Sequence, residues 1–428
     1  MAASSAEVTA PPGLGYRWTI VALLFFALTI NYLDRQVLGI LAPTLQRELG
    51  WTETDYGSIV SWFSLTYAVG LLLTGRLMDR IGVRTGLAAA IVVWSLAAMG
   101  HALARGVAGF SLARAALGIG EAGNFPAAVK TVAEWFPKKE RALAIGIFNA
   151  GTNVGAIIAP IVVPWIAVTW GWREAFVATG AVGFAWLIAW LAIYRSPESH
   201  PRVSAAELAY IRRDGEEASG GPVPWGRLFA DRQAWAFIVG KAFTDPVWYF
   251  YLFWLPKFLD TSYGVKLTGV AGPLIAIYLL ADVGSVAGGW TSSRMISAGW
   301  SVNRARKTAM LLAAILIAPT GFAPSAGTLW MAVSLVAVAA AAHQWWSANL
   351  YCIVSDMYPK RMVATVVGMG GFAGSMAGFA AQRMTGRLLD ATGGNYTAIF
   401  AVCGGTYLVA LGVIHLLVPR MEPARGVG

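Results

Sequence analysis

The sequence predicts an all-α integral membrane protein: twelve transmembrane helices in two pseudo-symmetric six-helix halves, with both termini in the cytoplasm. Three observations predict it. The chain is 57% hydrophobic and only 13% charged, where a soluble domain is about a quarter charged. It holds a series of apolar runs near the length of about 20 residues that a span requires. Its lysines and arginines are unevenly placed: with both termini inside, cytoplasmic segments hold about 22, outer segments about 7 and the membrane interior about 3, the bias that sets topology.

The first six runs lie at roughly 16–44, 55–78, 84–104, 108–133, 140–167 and 172–194. The N-terminal stretch lacks a basic region, a short apolar core and a small-residue cleavage site, so the first run reads as an uncleaved span. Residues 195–232, RSPESHPRVSAAELAYIRRDGEEASGGPVPWGRLFADR, are polar and rich in Pro and Gly, with room for one short amphipathic helix at AAELAYIRR. They read as a central cytoplasmic loop between an N-terminal half, 1–194, and a C-terminal half, 233–428. Six more runs follow near 233–260, 268–297, 305–324, 327–356, 361–389 and 395–418. Pro319 and Pro324 blur the end of the ninth. Six plus six around a charged loop suggests internal duplication. GRLMDRIGVR (75–84) and GGWTSSRMISAGWSVNRARK (288–307) stand at matching places as Gly-led basic turns.

Several function classes fall away. Cys352 and Cys403 are two scattered thiols in apolar segments, neither a disulfide framework nor a zinc site. His101, His200, His343 and His415 lack metal-ligand spacing. The net charge of +10 is what cytoplasmic loops produce, and no nucleic-acid motif accompanies it. No H-E-x-x-H or G-x-S-x-G is present. The expectation is a non-enzyme with no cofactor and no metal.

Charges inside the spans remain to be explained, because each costs roughly 2.5–3.5 kcal/mol even on the gentler insertion scales. Asp34 and Arg35 lie in the first span. Arg114 and Glu121, two turns apart, share a face of the fourth. Lys241 and Asp245 form an i,i+4 pair in the seventh. Intramembrane charges face the bundle interior and pair with one another, so Arg114 is expected to pair with Asp34 or Glu121. A buried ion pair is often no better for stability than an apolar replacement, which favours a functional role. Trp248, Tyr249 and Trp254 follow in the seventh span; most of the 19 tryptophans read as interfacial belts. Thr152 and Asn153 are polar groups of the fifth span. His343, Gln344, Trp346 and Asn349 in the tenth, and Ser375 and Gln382 in the eleventh, offer hydrogen-bonding groups near mid-depth. GTNVGAIIAP (151–160) and GMGGFAGSMAG (368–378) read as small-residue faces on which helices rock.

GRLMDRIGVR resembles the loop signature of the major facilitator superfamily, G-x-L-x-D-R-x-G-x-[RK], filled by Gly75, Leu77, Asp79, Arg80, Gly82 and Arg84. The resemblance implies the major facilitator fold and a conformational gating role for this loop. NYLDR in the first span, RAALGIGEAGNFPA in the fourth and EWFPKKERALAIG before the fifth resemble the anion:cation symporter branch. FNAGTNVGAIIAP, RQAW, DPVW, AHQWWSANL and SDMY are similar to bacterial hexuronate transporters. The NYLDR carboxylate matches the galactonate-type branch instead.

That resemblance implies import of an organic anion, a hexuronate or related sugar acid, by proton symport with alternating access. Asp34 and Glu121 match proton-coupling positions. Arg35 matches the substrate-carboxylate position, which suits a planar guanidinium fork. Tyr32 and Tyr67 match substrate-contacting positions, Lys241 stands where an arginine is found, and Arg114 would tune the carboxylates. Trp248, Tyr249, His343, Gln344, Asn349 and Ser375 complete the expected substrate set. A sodium-coupled symporter and an exporter of the same fold are the alternatives. A bacterial inner membrane and a monomeric state are expected.

Overall fold

A computed structural model describes residues 15–213, 225–358 and 360–422, with only the backbone described at 75, 76, 79, 138, 139, 142, 225, 360, 361 and 364. The side chains of Gly75 and Asp79, two residues of the expected gating loop, therefore lie outside the described set, as does part of the central loop. The helices are α1 (Arg17–Leu49), α2 (Glu53–Ile81), α3 (Val83–Gly100), α4 (Val107–Ala122), α5 (Asn124–Trp135), α6 (Lys138–Thr169), α7 (Trp172–Ile193), α8 (Ala205–Arg212), α9 (Trp225–Ala230), α10 (Arg232–Tyr263), α11 (Ala271–Ser297), α12 (Val302–Ile317), α13 (Leu329–Met357), α14 (Lys360–Ala391) and α15 (Thr397–Leu417).

Among the described residues, nine helical segments are long and apolar enough to cross a membrane. The three remaining spans are α4 with α5, α10 and α14. The fourth span is divided into two helices of 16 and 12 residues, neither long enough to cross alone, and α10 carries Lys241 and Asp245 in its middle. The ninth span is α12 continued by a 3-10 turn, Ala318–Ser325. Pro319 has no N–H for an α-helical bond, so the chain tightens there.

The packing repeats from half to half. In the first six spans α1 packs on α6, α2 on α4, and α3 on both α4 and α7. In the last six α10 packs on α14, α11 on α13, and the α12 segment on both α13 and α15. These pairings map one onto the other span for span, the signature of a duplicated bundle. The halves meet through α2 against α14, α6 against α11, and α1 against α10.

The glycine faces serve packing inside each half, which corrects the rocking-surface expectation. A methyl at Gly151 or Gly155 of α6 would overlap the α1 backbone at Phe25 or Thr29. On α14, Gly370, Gly374 and Gly378 lie against Phe237, Asp245 and Tyr249 of α10. The contact that does cross between halves sits elsewhere: Gly57 of α2 abuts the Gln382 carbonyl, and Gly386 of α14 abuts the Glu53 carbonyl.

Polar ties between the halves gather at the end opposite the central segment, the outer end by the Lys/Arg bias. Asp390 accepts from the backbone N–H of Glu53 at 2.9 Å and of Thr54 at 2.8 Å. A carboxylate there suits the N-terminal dipole of α2. Lys257 bonds Glu53, Arg47 bonds Asp260 at 3.1 Å, and the Tyr56 hydroxyl donates to the Phe253 carbonyl at 2.5 Å. The molecule is closed at this end.

At the cytoplasmic end the central segment is moored to the N-terminal half. The predicted short helix is α8, capped by Ser204 on the Glu207 N–H. Glu207 accepts from the backbone N–H groups of Tyr16 and Arg17, and Arg17 also pairs with Glu140 at 2.9 Å.

Candidate functional site

The site is built around a break in the fourth span. The sequence GNFPA puts Pro126 where its nitrogen cannot donate to the Ala122 carbonyl. The helix divides at Gly123 into α4 and α5, and Thr74 of α2 donates to the freed carbonyl at 3.3 Å. Glu121 stands two residues before the break, in the last turn of α4.

Arg35 and Glu121 form a buried ion pair, Nη2 to Oε2 at 2.7 Å and Nε to Oε2 at 2.8 Å. Arg35 also donates to Asn31 Oδ1 at 3.3 Å. Its guanidinium lies over the rings of Tyr32, Phe63 and Tyr67, with centroids 4.7, 5.0 and 5.0 Å away. Such faces attract a guanidinium through the ring quadrupole. Arg35 thus has an aromatic box on one side and a carboxylate on another. Oε1 of Glu121 has no hydrogen-bond partner.

Arg114 differs from expectation. Both its terminal nitrogens donate to the Arg35 carbonyl at 3.2 Å, and it pairs with neither Asp34 nor Glu121. The reason is geometric. Adjacent residues of a helix point about 100° apart, so with Arg35 turned to Glu121, Asp34 points away from that pair, and Arg114 meets the α1 backbone at the Arg35 carbonyl. Asp34 is 2% exposed and pairs with neither arginine; its one hydrogen-bonding neighbour among the described residues is Thr179 of α7, and the contact is weak.

The C-terminal half presents a second set. Lys241 Nζ lies 2.8 Å from Asp245 Oδ1 and donates to the Tyr351 hydroxyl at 3.1 Å. The Tyr249 hydroxyl and Ser375 Oγ are 3.1 Å apart. Tyr32 is in electrostatic reach of Tyr351, and Arg35 of Tyr249, so the two sets face each other across the junction of the halves.

The other expected residues divide. Trp248 stacks on His343 at 5.0 Å, and His343 Nδ1 meets the Tyr407 hydroxyl at 2.5 Å; this histidine is satisfied between helices. Asn349 is fully buried and donates to the Gly288 carbonyl at 3.1 Å, tying α13 to α11. Gln344 is half-buried. Thr152 is satisfied by the Asn149 carbonyl at 2.7 Å, and Gln382 accepts from Trp254. In the 75–84 loop, Gly82 adopts φ +77°, which suits glycine, Arg84 donates to the Leu191 carbonyl at 2.6 Å, and Arg80 is exposed. Tyr351 is the member that sequence reasoning missed. Its spacing of two turns from Gln344 put it on a face already considered.

A helical membrane bundle with buried charges at the junction of two repeated halves defines a secondary transporter rather than an enzyme. The chain belongs to the Major Facilitator Superfamily, whose family model matches residues 24–382. The hexuronate transporter of Escherichia coli K12 is 32% identical over 395 residues, covering 91% of this chain and 90% of that protein. The probable L-galactonate transporter of the same organism is 31% identical, covering 94% and 91%. Among solved structures, the inward-open xylose transporter XylE of E. coli superposes with a TM-score of 0.72 at 16% identity, covering 96% of this chain and 97% of that one.

Proposed function

We propose that the chain imports a sugar acid, a hexuronate such as glucuronate or galacturonate or a related acid, by proton symport with alternating access. The observation that carries the reading is the Arg35–Glu121 pair. It is buried, ringed by aromatics, and made between α1 and a helix that breaks beside it. The relatives named for hexuronate and galactonate transport support the choice of substrate class.

The chemistry follows from competition for one cation. A proton on Glu121 weakens its hold on Arg35, and the substrate carboxylate takes the vacated fork bidentately. Proton and anion therefore favour each other's binding. Asp34 is the second proton site. An uncompensated buried carboxylate is expensive, and a proton removes that cost. Tyr32 and Tyr67 border the anion, while Lys241, Tyr249 and Ser375 face it from the other half. Residues 1–194 and 233–428 are the units that move, joined by the segment 195–232, with the 75–84 loop as the gate. The setting is a bacterial inner membrane and the working unit is a monomer.

The test is uptake of labelled glucuronate into proteoliposomes under an inward proton gradient without sodium, beside Glu121→Gln. Accumulation that collapses with a protonophore, and that the variant loses, is expected. Uptake only on adding sodium would replace the proton with sodium. No uptake of glucuronate, galacturonate or galactonate under either condition would overturn the sugar-acid reading.

A further inference from the structure

We infer that Asp245 makes the C-terminal half of the site select a neutral, hydroxyl-bearing substrate end, so that the transporter takes sugar acids with one carboxylate and rejects those with two. The inference rests on the sugar-acid reading and concerns the end of the substrate away from Arg35.

The two halves hold their cations differently. Arg35 and Glu121 come from different helices, α1 and α4. Helix movement or a proton on Glu121 can part them and free the guanidinium. Lys241 and Asp245 are one turn apart on α10, with 2.8 Å between Nζ and Oδ1. No rigid movement of α10 parts them. Asp245 is also fixed from a neighbouring helix, because a methyl at Gly374 of α14 would overlap its carboxylate. Tyr351 of α13 takes a further donor of Lys241 at 3.1 Å and lies under its ammonium.

Lys241 is therefore neutralised at close range, and the groups left to a ligand are hydroxyl-binding ones. Asp245 is half-buried, Tyr351 is 41% exposed, and the Tyr249–Ser375 hydroxyl pair adjoins them. The other polar neighbours from the packed helices, His343 and Tyr407, are bonded to each other. A second substrate carboxylate placed here meets the Asp245 charge at close range, and the cation beside it among the described residues, Lys241, is already paired. A ring or chain hydroxyl meets an acceptor in Asp245 and a donor-acceptor in Tyr351.

Glucuronate and glucarate test this, because they differ by one carboxylate at one end; galactonate and galactarate are a second such pair. Dissociation constants of all four are measured by titration on the purified full chain. The parent should bind each monocarboxylate at least about tenfold more tightly than its dicarboxylate partner. Asp245→Asn uncovers Lys241 and should reduce that ratio by about tenfold. Lys241→Gln leaves Asp245 uncompensated and should move the ratio the opposite way. The double variant should return it towards the parent value. The opposite signs keep the test decisive if one single variant fails to fold. A parent that binds glucarate as tightly as glucuronate, or single variants that leave the ratio unmoved or shift it in the same direction, would overturn the inference and leave the sugar-acid reading standing. A parent that binds none of the four would overturn both.

Discussion

Arg35 touches groups from three helices: Asn31 and Tyr32 on its own, Phe63 and Tyr67 on α2, and Glu121 on α4. Lysine keeps the charge but loses the planar fork and the stacking. Arg35→Lys should still fold, since Glu121 retains a cation, and should bind glucuronate at least about tenfold more weakly by titration. Asp34→Asn makes a contrasting case. It replaces a buried carboxylate that, among the described residues, pairs with no cation and has only Thr179 as a hydrogen-bonding neighbour with a neutral isostere. Thermal stability should hold or rise, while gradient-driven accumulation is lost; a fall in melting temperature would show that the charge serves the fold instead. The set Asp34, Arg35, Arg114 and Glu121 was legible because charges in apolar runs stand out. Their pairing was not, because a spacing of seven fixes a helix face and not the neighbour that meets it. Tyr351 was illegible for a related reason: only the approach of α13 to α10 distinguishes it from a belt tyrosine.

Helix contacts depend on where glycines fall. Gly284 of α11 lies so close to the Ala341 backbone of α13 that a methyl there must push the helices apart. Gly284→Ala should destabilise the protein by about 1–3 kcal/mol, read as a lowered melting temperature in detergent. Gly386 of α14 and Gly57 of α2 bring the two halves together at the outer end. Gly386→Ala should favour the outward-open arrangement, seen as greater separation of spin labels on the exposed outer ends of α1 and α14. Cys352 and Cys403 would be replaced before labelling. The sequence marked both small-residue stretches, but only the packing shows that each lies mainly within one half. The break at Gly123 was written in GNFPA, yet an unbroken fourth span fitted the apolar run as well, since hydropathy does not register one lost backbone bond.

The whole molecule is a duplicated bundle shut at one end, and most of that plan was readable. Twelve runs, a polar centre and the Lys/Arg bias gave element order and orientation, because the bilayer imposes length and charge rules on every span. The closure was not readable. Arg47, Glu53, Lys257, Asp260 and Asp390 look like ordinary end-of-helix charges until the halves meet, and then Asp390 caps α2 while Lys257 bonds Glu53. Asp390→Asn should weaken this closure and raise the outward-open population in the same label experiment. On the proposed function, sugar acid and proton bind together, the anion at Arg35 and the proton at Glu121. The most direct measurement adds glucuronate to the purified protein in weakly buffered detergent solution and follows pH with an indicator, beside Glu121→Gln. The parent should take up protons on binding, up to roughly one per substrate, and the variant should lose most of that uptake. Binding without proton uptake in the parent, or uptake of equal size in the variant, would contradict the proposed coupling.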